Sequence, residues 1–289
     1  MIIDGKAIAN QIQQEIASEL QQVLKMRPPC LVVIIVGNQM ASQVYVNRKT
    51  KACASIGIKS IKRELPQTIS EEELLSQIDQ LNRDQTVDGI LVQLPLPAHI
   101  NPSKIMYAID PDKDVDGFHP LNVGKLLIGD SSGFQPCTPL GIKILLERSN
   151  VNTVGKNVVI LGRSNIVGKP MAAMLMQAPW GNATVTVLHS QSKDIPFHCQ
   201  QADILIAAIG KPQFIKAAMV KEGAVVIDVG MNRSGDVNLA NSKQLVGDVD
   251  FDAVKEKCSL ITPVPGGVGP MTIAMLLHNT LKSYKRRVK

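Results

Sequence analysis

The chain has 289 residues, 45% of them hydrophobic and 19% charged. That is the balance of a packed protein long enough for two domains, and it excludes a disordered or low-complexity chain. Aromatic residues make up only 3%, so the core must be aliphatic and a base-stacking platform for single-stranded nucleic acid is excluded. The net charge of +6 is concentrated in Lys282, Lys285, Arg286, Arg287 and Lys289; without them the chain is nearly neutral, which predicts a solvated basic fringe and no nucleic-acid partner.

Taken in chain order, residues 6–25 set Ile8, Ile12, Ile16, Leu20 and Leu24 four apart, one apolar stripe on a helix. Residues 30–36 (CLVVIIV) form an unbroken apolar run closed by Gly37, the pattern of a strand buried on both faces. A helix over 42–55, a strand over 58–65 and a helix over 71–83 follow, the last opened by the capping box Ser70-x-x-Glu73. Residues 87–94 (VDGILVQL) read as a third buried strand, and 95–136 as a long functional loop holding one short helix near 103–109. Thr138-Pro139 caps a helix running to about residue 149.

The second half repeats the rhythm, with strands at 157–161, 183–188, 202–209, 224–229 and 260–262. Helices are expected at 168–177, 251–257 and 271–285, the last preceded by a Pro/Gly-rich loop over 263–270. Alternating strands and helices imply an α/β fold with parallel sheets and right-handed crossovers. The five cysteines are far apart with no C-x-x-C pair, so neither zinc nor a disulfide framework is expected, and no metal; reduced thiols fit a cytoplasmic protein. No apolar targeting core follows Asp4 and Lys6, and Pro, Gly and Asn interrupt the long uncharged stretches 170–192 and 258–281, so no membrane span is expected.

Strand 157–161 runs into Gly162-Arg163-Ser164-Asn165-Ile166-Val167-Gly168 and then a helix. This is the context of a phosphate-cradling turn, with Ser164 in place of the middle glycine; alone it is equally a tight packing turn. The next strand ends in His189-Ser190-Gln191-Ser192-Lys193, with no acid before Asp194. A free ribose 2′-hydroxyl calls for an acid there, whereas hydroxyls with Lys193 and Arg163 suit a 2′-phosphate, so NADP is predicted over NAD. In the first half, Tyr45 and Lys49 are spaced to share a helix face, a spacing that alone better fits a half-buried tyrosine beside a solvated lysine than a catalytic pair. Gln93 stands at the C-terminal end of a buried strand, where open α/β sheets place ligands, and Asp112, Asp114 and Asp116 crowd the long loop.

Together these segments carry a resemblance. Ser42-Gln43-Val44-Tyr45-Val46-Asn47-Arg48-Lys49, Val92-Gln93-Leu94-Pro95-Leu96-Pro97, Asp114-Val115-Asp116-Gly117, Pro136-Cys137-Thr138-Pro139, Gly162-Arg163-Ser164, Val167-Gly168-Lys169-Pro170, Asp228-Val229-Gly230 and 263–272 (PVPGGVGPMT) occur in order. The chain resembles the bifunctional methylenetetrahydrofolate dehydrogenase/cyclohydrolase family over essentially its whole length, departing from it at Ser192, where the family often has Thr. The resemblance implies NADP-dependent oxidation of 5,10-methylenetetrahydrofolate to the methenyl form, and hydrolysis of that to 10-formyltetrahydrofolate. It implies Lys49 as acid/base, Tyr45, Gln93 and Asp116 beside it, and a folate surface including Val92, Leu94, Pro265, Gly266 and Gly267. It implies cofactor contacts from Gly162, Arg163, Ser164, Ser190 and Met231.

The expected organisation is two-lobed: a Rossmann-like NADP-binding domain over 138–270, and a smaller α/β catalytic domain over 1–137 completed by 271–289, with the site between lobes. The family also implies a homodimer. Chemistry supports these roles independently. Attack of water needs a base and ring opening needs an acid, and a lysine can do both only if its pKa falls toward neutrality; burial and a cationic substrate lower it. A neutral amide such as Gln93 orients the amine without stabilising its charge, and Asp116 can accept the pterin amine and ring N–H in parallel. Rival readings are a shikimate-type dehydrogenase, a binding protein that has lost catalysis, and a basic nucleic-acid binder. The 92–97 and 263–272 motifs, intact Lys49 and the confinement of charge to the tail disfavour them in turn.

Overall fold

A computed structural model describes residues 1–24, 27–178, 180–233 and 245–288. In chain order the elements are α1 (Gly5–Val23), β1 (Cys30–Val36), α2 (Met40–Ser55), β2 (Lys59–Leu65), α3 (Glu71–Arg83), β3 (Gly89–Val92), α4 (Pro102–Ala108), α5 (Pro120–Leu127) and α6 (Cys137–Arg148). They continue with β4 (Asn157–Leu161), α7 (Gly168–Met176), β5 (Thr184–Leu188), α8 (Ile195–Gln200), β6 (Ile204–Ala207) and β7 (Val225–Asp228). The chain closes with β8 (Asn232–Arg233), β9 (Leu245–Val246), α9 (Phe251–Val254), β10 (Leu260–Ile261) and α10 (Val268–Arg287). It divides into two compact units, Asn10–Cys137 with Ile273–Lys289, and Met1–Ala9 with Thr138–Thr272.

The unit containing Asn10–Cys137 is built on a parallel sheet of order β2-β1-β3. Its central strand β1 is buried along its whole length, which is why its sequence is apolar without alternation. The capping box forms as expected, the Ser70 side chain and the Glu73 backbone and carboxylate bonding reciprocally, and α3 turns Leu74, Ile78 and Leu81 into the core against Ile34 and Val92. The other end of α3 is closed by buried Lys113, whose Nζ donates to the carbonyls of Leu81, Asn82 and Asp84 at 2.7 Å each, satisfying acceptors a helix end leaves open. The final helix is stitched into the same unit by buried polar bonds. Asn279 Nδ2 donates to the carbonyls of Val115 (2.9 Å) and Gln135 (3.0 Å), Ser283 Oγ to those of Asp88 (2.6 Å) and Asp112 (2.8 Å), and Tyr284 OH to that of Arg27 (2.8 Å).

The unit containing Thr138–Thr272 carries a parallel sheet of order β10-β7-β6-β4-β5. Strand order reverses at β4, which pairs with β5 on one side and β6 on the other. This is the switch point at which open α/β sheets leave a crevice beyond their strand ends.

Several expectations are corrected. Residues 1–9 belong to the second unit rather than to the first lobe: Ile3 N donates to Ile261 O at 2.8 Å, and a Cβ on Gly5 would lie 2.0 Å from Gly267 O. The third strand is shorter than 87–94, since β3 spans Gly89–Val92. The loop 95–136 contains a second helix, α5, because the His119 ring accepts from Leu121 N and Pro120 opens the first turn, a capping role not legible from the usual Ser/Thr/Asp/Asn list. The helix of residue 138 begins at Cys137, so Thr138 lies inside its first turn and its hydroxyl meets Thr272 Oγ1 at 3.0 Å. The last helix starts at Val268, three residues before 271, since a proline is tolerated in a first turn. Helix α8, with Pro196 in its first turn, was not anticipated. The basic tail is not a solvated fringe: Lys285 pairs with Glu19, Arg286 lies 4.8 Å from the Phe134 ring centroid, and Arg287 reaches Gln85 Oε1 at 3.1 Å. Residues 25 and 289, included in the first-helix and tail expectations, lie outside the described residues.

Candidate active site

Helix α2 carries Tyr45 and Lys49 on one face, as their spacing requires. Lys49 is only 6% exposed. Its Nζ donates to Gln93 Oε1 at 3.0 Å and lies 5.3 Å from the centroid of the Tyr45 ring. Gln93 Nε2 donates to Leu94 O at 2.8 Å, so the amide is held with its oxygen toward the lysine. Gln93 itself remains registered on the sheet, its N–H bonding Ile34 O at 2.8 Å although the strand has ended. Val92 is the buried last residue of β3.

Burial pushes the Lys49 amine below the usual lysine range, and the nearby Asp116 carboxylate, with lesser contributions from Cys137 and Cys53, pulls it partly back. Burial wins because removing an ammonium from water costs more than these partly neutralised groups return. The same burial raises Asp116, with Lys49 opposing and Asp114 adding to the rise. It raises the Tyr45 phenol, helped by Asp116, and holds the Cys137 thiol well above its ordinary value. The site is thus a weakly charged enclosure in which an amine and a carboxyl both lean toward their neutral forms.

The three loop acids have separate fates. Asp112 is exposed. Asp114 is buried and structural: Oδ1 accepts from Gly117 N (3.1 Å) and Phe118 N (3.2 Å), Oδ2 from His119 N (2.8 Å) and Asn122 Nδ2 (2.9 Å). Only Asp116 couples to Lys49. The turn behind it requires glycine, because Gly117 has φ +77° and a Cβ there would sit 2.6 Å from Gln135 C and Pro136 N. Cys137 and Asn279 were not singled out as site residues, yet they form the floor beneath Asp116. Cys137 Sγ donates to Val115 O at 3.3 Å, and Asn279 Nδ2 approaches that sulfur at 3.7 Å. Cys137 was legible in the 136–139 motif, whereas Asn279, on the final helix, had no local signal.

The second unit holds a cavity of about 300 Å³ at the switch point, lined by Gly162, Arg163, Ser164 and Ser190 with His189, Lys211 and Phe214. Gly162 has φ +127°, and a Cβ on it would lie 2.2 Å from Ala208 O, so the turn is closed by packing as well as open to a ligand. Ser164 Oγ accepts from Val167 N (3.1 Å) and Gly168 N (3.4 Å) at the start of α7, which leaves its O–H as the donor. Ser192 closes the next turn, its Oγ accepting from His189 N at 2.9 Å, so the departure from the family's Thr keeps a hydroxyl with a structural task, while Ser190 is exposed. Met231 is half exposed and not among the cavity's lining residues. Pro265, Gly266 and Gly267 lie in this unit too, in the turn before α10, where a Cβ on Gly267 would meet Pro263 O at 2.6 Å. Among the described residues no group of His, Cys, Asp and Glu could hold a metal, and no helix is long and apolar enough to cross a membrane.

Comparison with known proteins returns a consistent set. Residues 3–116 match the family model of the tetrahydrofolate dehydrogenase/cyclohydrolase catalytic domain, and residues 136–288 that of the NAD(P)-binding domain. A curated relative, the bifunctional protein FolD of Protochlamydia amoebophila, is 63% identical over 287 residues, covering 99% of this chain and 98% of its own. The crystal structure of the bifunctional FolD methylenetetrahydrofolate dehydrogenase/cyclohydrolase from Campylobacter jejuni superposes with a TM-score of 0.94 at 51% identity, covering 99% of both chains. The Trypanosoma brucei dehydrogenase-cyclohydrolase, solved with NADP cofactor and inhibitor, gives a TM-score of 0.94 at 41% identity, covering 100% of this chain and 98% of that one.

Proposed function

The chain belongs to the tetrahydrofolate dehydrogenase/cyclohydrolase family, and from that premise we infer that it oxidises 5,10-methylenetetrahydrofolate to the methenyl form with NADP and hydrolyses the product to 10-formyltetrahydrofolate. The observation that carries the reading is the Lys49 amine, buried and held 3.0 Å from a neutral amide oxygen.

The site residues then take definite tasks. Neutral Lys49 Nζ accepts a proton from the water that attacks the methenyl carbon. The resulting ammonium returns that proton to the ring nitrogen whose bond to carbon breaks; the hydroxyl left on that carbon gives its proton to solvent and becomes the formyl oxygen, so the amine is restored and one proton is released overall. Gln93 Oε1 holds Nζ in place for that proton transfer without the pKa-raising charge a carboxylate would bring. Asp116, when ionised, accepts two parallel N–H bonds from the pterin edge. The Tyr45 ring packs on the flat aminobenzoyl group, with Val92 and Leu94 beside it on the folate surface. The domain roles follow: the unit of Asn10–Cys137 with Ile273–Lys289 binds folate, and the unit of Met1–Ala9 with Thr138–Thr272 binds the dinucleotide.

The 300 Å³ cavity suits NADP. Its lining offers Arg163, Lys211, the Ser190 hydroxyl and the free O–H of Ser164, with no carboxylate, which favours a 2′-phosphate over a bare ribose. Gly162 and the backbone at Met231 complete the cofactor contacts. When bound, NADP supplies the hydride acceptor. The enzyme is proposed to act in the cytoplasm as a homodimer. Rising absorbance of NADPH on mixing the protein with 5,10-methylenetetrahydrofolate and NADP tests the reading; no turnover, or a clear preference for NAD, would refute it.

A further inference from the structure

Beyond the strands that face the dinucleotide cavity lies a pair of buried carboxylates that the reaction itself does not use. Asp228 ends β7 and Asp248 follows β9; both are buried, Asp248 completely. Asp228 Oδ1 accepts from Gly230 N and Asp248 N, each at 2.9 Å, and its Oδ2 from Val249 N at 3.0 Å. Its own N–H donates to Thr262 Oγ1 at 2.7 Å, tying the end of β7 to the residue after β10. Asp248 Oδ2 accepts from Ile209 N (2.7 Å) and Gly210 N (2.9 Å), and its Oδ1 from Asn232 Nδ2 (2.9 Å). The two side chains therefore collect six donors, all of them amides.

Two glycines make room for this arrangement. A Cβ on Gly247 would lie 1.8 Å from Asp228 Oδ2, and one on Gly230 would lie 2.4 Å from Asp248 Oδ1. Neither has a positive φ, so glycine is required for space and not for backbone conformation. Burying two like carboxylates together is expensive; burial, with Asp248 adding, pushes Asp228 up to about 6. Two apolar residues would fasten the turns without that cost, but could not hold amide N–H groups in fixed positions.

What is held matters. Ile209, in the segment Asp248 clamps, lines the dinucleotide cavity with the adjacent Ala208 and Lys211, and the missing Cβ of Gly162 faces Ala208 O on the other side. Asp228 likewise fixes Gly230, next to Met231. We propose that Asp228 and Asp248 are positioning residues for the cofactor: a carboxylate latch that sets the turns after β6 and β7 at the spacing a dinucleotide needs. The inference rests on reading that cavity as the seat of NADP.

The test uses the full chain and titration calorimetry with NADP, alongside KM for each substrate. Asp248→Ala is expected to weaken NADP binding at least tenfold, to leave the KM for methylenetetrahydrofolate within twofold, and to speed amide hydrogen exchange in the 208–211 segment. Asp248→Asn, which keeps an oxygen for the two amides while Asn232 reverses its amide, is expected to restore binding to within threefold of the parent. NADP affinity unchanged in Asp248→Ala, or equal losses for folate and NADP, overturns the latch. Where Asp248→Ala does not fold, Asp228→Asn decides, threefold or greater weakening of NADP supporting the latch and unchanged affinity overturning it. Arg163→Ala runs in parallel. If it leaves NADP binding untouched, the cavity reading has failed; if it weakens binding while the aspartate variants do not, only the latch has.

Discussion

Lys49 shows how burial changes the titration of a common side chain. An exposed lysine titrates near pH 10.4, whereas burial holds this amine lower. Lys49→Met is therefore expected to abolish cyclohydrolase turnover while retaining NADP binding, read by hydrolysis of methenyltetrahydrofolate and by calorimetry. The sign of the stability change follows from the same shift. A lysine whose folded-state pKa is depressed contributes stability that is fully present above the unfolded pKa and lost as pH falls through the folded one. Removing the amine should raise the melting temperature, and the gain should grow as pH falls from 10 toward neutrality; melts of both proteins across that range check it. Gln93→Glu places a carboxylate where the neutral oxygen now sits, 3.0 Å from Nζ. The acid limb of the cyclohydrolase pH profile should then move upward and the rate near pH 7 fall by about tenfold, the factor belonging to one pKa unit in the base.

Elements differ in what they transmit to the site. The Ser70 capping box stabilises α3 far from Lys49, so Ser70→Ala should cost about 1 kcal/mol in urea unfolding with unchanged kinetics. The Asp114 carboxylate is different, because four donors converge on it. Asp114→Ala orphans buried N–H groups at about 1–3 kcal/mol each before relaxation; it is expected to lower stability and raise the KM for folate together, since the loop it folds carries Asp116. Urea titration and substrate kinetics separate the two variants. The capping box and the buried run of β1 were legible in sequence because their interactions are local or periodic. Helix α5 was not, since its cap is a histidine ring, and the roles of Asp112, Asp114 and Asp116 could not be ranked by spacing that treats all three alike.

At the scale of the whole chain, the final helix is a distant piece of the unit containing Asn10–Cys137. Asn279, Ser283 and Tyr284 reach carbonyls more than a hundred positions earlier in sequence. Deleting residues 273–289 is therefore expected to leave the unit of Asn10–Cys137 without cooperative unfolding, as measured by calorimetry; an intact unfolding transition for that unit would contradict the role given to these bonds. Ligand linkage gives a complementary measurement: NADP at a hundred times its Kd should stabilise the protein by about 2.7 kcal/mol, and NAD at the same concentration by much less.

The alternation of strands and helices, the presence of a catalytic and an NAD(P)-binding domain, and the family were all legible before any coordinates, because apolar periodicity and contiguous motifs are carried by neighbours along the chain. The sequence also brought forward Tyr45, Lys49 and Gln93. Folding in three dimensions is what buries Lys49, locks the Gln93 amide with its oxygen inward, couples Asp116 alone of the three loop acids to the amine, and sets Cys137 and Asn279 beneath it. The same holds for the latch of Asp228 and Asp248 and for the docking of a basic tail that composition alone leaves in water. Each depends on groups distant in sequence meeting at hydrogen-bond range, and on a desolvation energy that exists only once the chain has closed around them.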